Sequence, residues 1–93
     1  MDFEWDPEKD RENQGKHGIS FLEATEVFDD DHSSTVPDPD HSENENRYLI
    51  FGMSKRGKYL VVSYTERGDR IRPRIRPISA RSMTPRERKA YEQ

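Results

Sequence analysis

Two hydrophobic periods run along this chain, and the switch between them divides it. Over residues 20–28, Phe21, Ala24, Thr25 and Phe28 recur at i, i+3, i+4 and i+7, the spacing of one helical face. Ser20 and Glu23 frame that stretch as a capping box. An earlier helix is signalled by Asp6 followed by Pro7, a carboxylate cap with proline at the first helical position, and it runs to about Gln14. Its apolar pattern is weak: Phe3 and Trp5 anchor it from just outside, and Gly15 or Gly18 ends it. From residue 47 the period falls to two. Residues 47–53 (RYLIFGM) predict a strand, 54–57 (SKRG) a hairpin turn, and 58–66 (KYLVVSYTE) the partner strand. Arg67, Gly68 and Asp69 turn the chain into a third strand, and Thr84, Pro85 and Glu87 open a last helix through Arg88 and Tyr91.

Sequential strands joined by tight turns make an antiparallel meander, with one face for the helices and the other for solvent or ligand. The expected fold is therefore α+β: two N-terminal helices, a small antiparallel meander and a C-terminal helix, in one domain over residues 1–93. In the third strand Arg70, Arg72, Arg74 and Arg76 fall two residues apart. Such spacing predicts a guanidinium ladder on one face, with Ile71 and Ile75 on a dry opposite face. Pro73 and Pro77 cannot donate to a ladder, so they require an edge position or a bulge. Residues 29–46 (DDDHSSTVPDPDHSENEN) are acidic and turn-rich; they predict a flexible loop with at most a short strand near 34–36.

Composition changes the picture in two ways. The chain is 38% charged, against roughly 25% in an average domain. Its core must therefore be lean, and its stability open to support from a partner. The net charge of −3 conceals a split: residues 1–46 carry 15 acidic and 3 basic side chains, a net of −12, and residues 47–93 carry 4 and 13, a net of +9. A bipolar chain offers one surface to phosphates and another to a basic partner, unless its halves fold together and cancel. Cysteine is absent, which removes disulfides and thiolate metal sites and fits a reducing compartment. No apolar run approaches the roughly 18 residues of a membrane span, and the start MDFEWDPEKD lacks a leader pattern, so a soluble, cytoplasmic protein without membrane contact is expected.

The arginines are the strongest chemical signal. A guanidinium grips phosphate oxygens in pairs and stays charged at any physiological pH, so a phosphate backbone is the expected counterpart of Arg70, Arg72, Arg74 and Arg76. His32 and His41 stand among Asp29, Asp30, Asp31, Asp38 and Asp40, but their spacing fits no compact ligand geometry, and neither a metal nor another cofactor is expected. Glycine-rich phosphate loops and nucleophile elbows are missing.

Four pieces, taken in order, carry a likeness: WDPEK, KHGISFLEATEVF, RYLIFGMSKRGKYLVVSYTER and ISARSMTPRERKAYE. Together they resemble the BrnT family of bacterial toxins, small ribonucleases with a RelE-like fold. The resemblance implies a toxin of a type II toxin-antitoxin system, a metal-independent endoribonuclease that inhibits translation and growth. It also implies a cognate BrnA-like DNA-binding antitoxin, held in a hetero-oligomer. The doubled RIRP of residues 70–77 and the length of the loop before Arg47 depart from the family pattern.

Metal-free RNA cleavage uses the ribose 2′-hydroxyl as nucleophile and needs a base, a cation for the phosphorane and an acid for the leaving oxygen. Arg67, Arg76 and Arg81 suit the second task. Glu66 is one candidate base, although a carboxylate beside Arg67 is as readily an ordinary salt bridge. Lys16 and His17 are the alternative pair, since imidazole takes and gives protons near neutrality, although a histidine before Gly18 can equally cap a helix. Tyr91 and Arg88 on the last helix are candidates for RNA contact, with Arg86 and Lys89 as charged neighbours, whereas Tyr64 shares a strand face with Leu60 and Val62 and belongs to the core. A non-catalytic nucleic-acid or protein binding module is the rival reading.

Overall fold

The computed structural model describes residues 1–40 and 46–93. In chain order its elements are strand β1 (Asp2–Phe3), helix α1 (Pro7–His17), helix α2 (Phe21–Thr25), a 3-10 turn (Glu26–Asp29), strands β2 (Ser34–Pro37), β3 (Arg47–Met53), β4 (Tyr59–Gly68) and β5 (Pro73–Ser82), and helix α3 (Pro85–Tyr91). The strands form one sheet in the order β1-β5-β4-β3-β2, and every pairing is antiparallel except β1 with β5. The expected meander is thus the centre of a larger sheet. The alternation that identifies a strand cannot show in a two-residue β1, and acidic, turn-rich neighbours obscure β2. His41 lies outside the described residues.

The cap residues place the helices where their chemistry directs. Asp6 accepts the Glu8 amide at 2.9 Å, and α1 runs past Gly15 to end at Gly18, whose φ of 72° closes the helix in the left-handed region. Ser20 accepts the Glu23 amide at 3.0 Å, but the Glu23 side chain does not complete a capping box. That carboxylate is buried instead against Ser54 Oγ at 3.0 Å and Lys58 Nζ at 3.5 Å, tying α2 to the β3–β4 turn. Thr84 and Glu87 form the full box at α3.

The core lies between α2 with its following turn and one face of the sheet. Ile19, Ala24 and Val27 meet Ile50, Leu60, Val62, Tyr64, Ile75 and Ala80, all buried, while Phe21, also buried, meets Trp5 edge-on. Phe28 packs edge-on against both Phe3 and Tyr64, and Tyr48 stacks on Tyr64, so aromatic area supplies what few aliphatics cannot. Tyr64 is a core residue, with a Thr35 hydrogen bond at its hydroxyl.

Helix α1 has no apolar stripe, and its attachment is polar. Asn13, 6% exposed, donates through Nδ2 to Ile19 O at 2.8 Å and Ala80 O at 3.0 Å, and accepts from Ala80 N at 3.1 Å. Strand β1 pairs with β5 only at Arg74 and Ile75. Beyond that point the edge of β5 is open, and the Asn13 carboxamide pairs with Ala80 as a neighbouring strand would.

Candidate nucleic-acid interface

Pairing register sorts the side chains of the sheet. On β4, Leu60, Val62 and Tyr64 enter the core, so Val61, Ser63, Thr65 and Arg67 point to the other face. Their partners on β5 are Arg81, Ser79, Arg76 and Arg74, and on β3 Phe51, Leu49 and Arg47 stand opposite Val61, Ser63 and Thr65. One face therefore gathers Arg47, Arg67, Arg74, Arg76 and Arg81 around the hydroxyls of Ser63, Thr65 and Ser79.

An irregularity in β5 makes this gathering possible. Arg81 is odd-numbered and Arg74 and Arg76 are even, so strict alternation would put them on opposite faces. The register shifts where Ser63 pairs with Ser79 but Tyr64 pairs with Pro77, leaving Ile78 as the extra residue. Beyond this bulge Pro77 and Ile75 are buried, and Arg76 and Arg74 turn to the side that Arg81 already occupies.

Electrostatic partners hold the cations in place. Glu4, just after β1, bridges Arg74 Nε at 2.9 Å and Arg76 Nη1 at 3.2 Å. Arg81 makes a bidentate pair with Glu87 at 2.8 and 3.0 Å, and Glu87 also accepts the Thr84 amide at 2.8 Å. The Arg81 guanidinium, opposed by burial and helped by the Thr84 amide, holds the Glu87 carboxyl down to about 2, while the same pair raises Arg81. Arg67 donates to Thr65 Oγ1 at 3.4 Å. Exposed pairs of this kind contribute only about 0–1 kcal/mol each, so a phosphate can displace a carboxylate from them.

The Glu87 pair predicts an acid-dependent loss. A carboxyl held below its ordinary value of 4.5 stabilises the fold fully above that pH, and the contribution disappears as pH falls towards about 2. Glu87→Gln should therefore melt below the parent at neutral pH, by about 1 kcal/mol after discounting for solvent, with the gap closing as pH approaches about 2. Thermal melts across that range check it; a gap that stayed constant would remove the ion pair as its cause.

The structure brings some of the sequence candidates together and separates others. Lys16 and His17 end α1 and line a cleft of about 250 Å³ with Lys9, Glu12, Asn13, Ile78 and Ser79, so they reach the edge of the arginine face beside Ser79. Ser79 pairs with Ser63, which lies about 13 Å along β4 from Arg67. Glu66 pairs with Ile75 and points to the opposite face from Arg67, exposed. It does not join the arginines. Arg70 and Arg72 are not on a strand: β5 begins at Pro73, and both lie in a turn where Asp69 accepts the amides of Ile71 and Arg72 at 2.9 and 2.8 Å. Gly68, with φ 83°, closes that turn, and a Cβ there would stand 2.2 Å from Arg72 O. The ladder of four arginines is thus reduced to Arg74 and Arg76, and Ile71 is 87% exposed, not packed.

Arg88 and Tyr91 are used to dock α3 on the same side of the sheet as the arginines. Arg88 lies 4.0 Å over the Tyr59 ring, and Tyr91 meets that ring edge-on. Tyr91 also donates to Asp30, and burial together with that hydrogen bond pushes its hydroxyl up to about 12. Arg86 lines a larger cleft of about 510 Å³ between α3, β2 and β3, while Lys89 is exposed. Sequence reasoning missed Arg47, Ser63, Thr65 and Ser79, although the parity of residues 47–53 against buried Ile50 already puts Arg47 on the face away from the core.

A family model described as ribonuclease toxin, BrnT, of type II toxin-antitoxin system matches residues 5–87. The crystal structure of the Brucella abortus ribonuclease toxin BrnT superposes with a TM-score of 0.69 at 21% identity, covering 90% of this chain and 97% of that one. No curated protein matches. With its fold shared by one such toxin and all but its ends matched by their family model, the chain belongs to the BrnT family of ribonuclease toxins of type II toxin-antitoxin systems.

Proposed function

We propose that this chain is an endoribonuclease that cleaves RNA without a metal ion, arresting translation and growth, as a single RelE-like domain over residues 1–93 in the cytoplasm. A BrnA-like DNA-binding antitoxin would neutralise it in a hetero-oligomer. The observation that carries the reading is the sheet face on which Arg47, Arg67, Arg74, Arg76 and Arg81 surround small hydroxyls, with Lys16 and His17 at its edge. Guanidinium groups spaced along three strands suit successive phosphates of a single-stranded RNA, and a phosphorane between them would be stabilised as its charge develops. His17 supplies an imidazole able to take the 2′-hydroxyl proton or to protonate the leaving oxygen, with Lys16 as the adjacent cation. Glu66, on the other face, is the weaker candidate for the base.

Purified protein incubated with RNA in EDTA tests this. Fragments ending in 2′,3′-cyclic phosphate, lost in His17→Ala while RNA binding stays within about twofold, are the expected result. Binding without fragments would instead favour a non-catalytic module, a reading that gains from the carboxylates already occupying Arg74, Arg76 and Arg81.

A further inference from the structure

We infer that the outer edge of β2, with the apolar groove beside it, is the docking site for an extended, basic-flanked segment of the antitoxin. This rests on the reading that a protein antitoxin pairs with this chain. Among the described residues β2 is the last strand of the sheet, and Ser34 to Pro37 are all exposed, so its outward amides and carbonyls are a template for another strand. Next to that edge lies the cleft of about 510 Å³ between α3 and β2–β3, where Val36, Phe51 and Ala90 provide an apolar floor. Val36 is 40% exposed, and a strand laid along β2 would direct alternate side chains into this groove.

Charge identifies the occupant. His32 lines this cleft and also the next one, where Glu26, Asp29, Asp30 and Asp31 outnumber the single cation Lys55. Asp30 is committed to Tyr91, Met53 and His32, but Asp29 and Asp31 are exposed at the end where β2 begins. Arg86 and Glu87 offset each other on the α3 wall of the groove, so its uncompensated charge is the acidic end, which disfavours RNA and suits a segment of alternating apolar residues flanked by Lys or Arg. The groove adjoins the arginines on the same side of the sheet, and the arginine cluster further along that face is left to RNA.

The test uses the whole chain co-purified with the small protein encoded in the neighbouring reading frame, together with RNA cleavage by the free chain. Val36→Asp should weaken the complex at least about thirty-fold and Asp31→Lys about tenfold, with cleavage by the free variants unchanged. Amide exchange should slow at residues 34–37 in the complex. A complex unaffected by Val36→Asp, with slowed exchange only on β4 and β5, overturns the assignment. Dimerisation of the free chain that Val36→Asp abolishes would give the groove to a second copy and overturn it equally. Absence of any complex also overturns it, whereas the toxin reading fails separately, through loss of RNA cleavage by the parent chain.

Discussion

Asn13→Ala is expected to lower stability by about 3 kcal/mol and the melting temperature by about 10–20 °C. The substitution strands the amide and carbonyl of Ala80 and the carbonyl of Ile19, all served by one carboxamide at a position 6% exposed. Each buried group left without a partner costs about 1 kcal/mol or more, and a chain of this size has only about 5–14 kcal/mol in hand. Asn13→Asp separates the contributions: it keeps an acceptor for the Ala80 amide but loses both donors, and should fall at least as far because it buries a carboxylate against two carbonyls. Calorimetric melts decide it. A parent-like melting temperature for the alanine variant would show that water replaces the side chain and that α1 is held by something else.

The same residue shows why parts of this fold were hidden. Caps act within four residues, so Asp6-Pro7, Ser20 and Thr84-Pro85-Glu87 announced three helix starts correctly. The hairpin of β3 and β4 was equally local. Asn13 reaches 67 residues along the chain, and nothing in its neighbourhood distinguishes it from a solvated helix position. Glu23 misled in the opposite direction: its spacing from Ser20 fits a capping box, but burial against Ser54 and Lys58 is the stronger demand. The arginine face was half legible. Alternation identified Arg74 and Arg76 as neighbours, and the prolines announced a disruption, yet only the extra residue Ile78 decides that both share a face with Arg81. The two-residue β1, invisible to any periodicity, then delivers Glu4 to them.

Charge segregation along the chain takes on a meaning in that arrangement. The acidic front half is not a uniform counterweight to the basic back half. Glu4 and Glu23 pair with Arg74, Arg76 and Lys58, and Asp30 holds Tyr91, so particular carboxylates fasten the halves together. Arg67 donates only to Thr65 Oγ1 among its described contacts, and it stands on the face where the paired arginines are only partly covered. Among the described carboxylates, Glu4 and Glu87, both partly exposed, are those a nucleic acid approaching Arg74, Arg76 and Arg81 competes with.

Arg76→Ala and Glu4→Gln should therefore move RNA cleavage in opposite directions. Arg76 sits opposite Thr65, between Arg74 on its own strand and Ser79 across the bulge, the most central guanidinium of the group. Removing it takes away a donor positioned for phosphate charge, and cleavage should fall on the order of a hundredfold. The salt dependence of binding should also flatten by about 0.7 in the slope of log affinity against log salt, the share of one single-stranded phosphate contact. Arg76→Lys keeps the charge without the planar fork and should recover part of the loss. Glu4→Gln frees Arg74 and Arg76 from their shared carboxylate, so RNA should bind several-fold more tightly at a small expense in stability. Because the Arg76 side chain is about one-third exposed and surface ion pairs contribute little, the melting temperatures of both variants should stay close to the parent's. Parental cleavage and salt dependence in Arg76→Ala would mean that RNA does not lie on this sheet face, and a matching decrease in both variants would mean that the Glu4 bridge is needed intact, as scaffold and not as a competitor for phosphate.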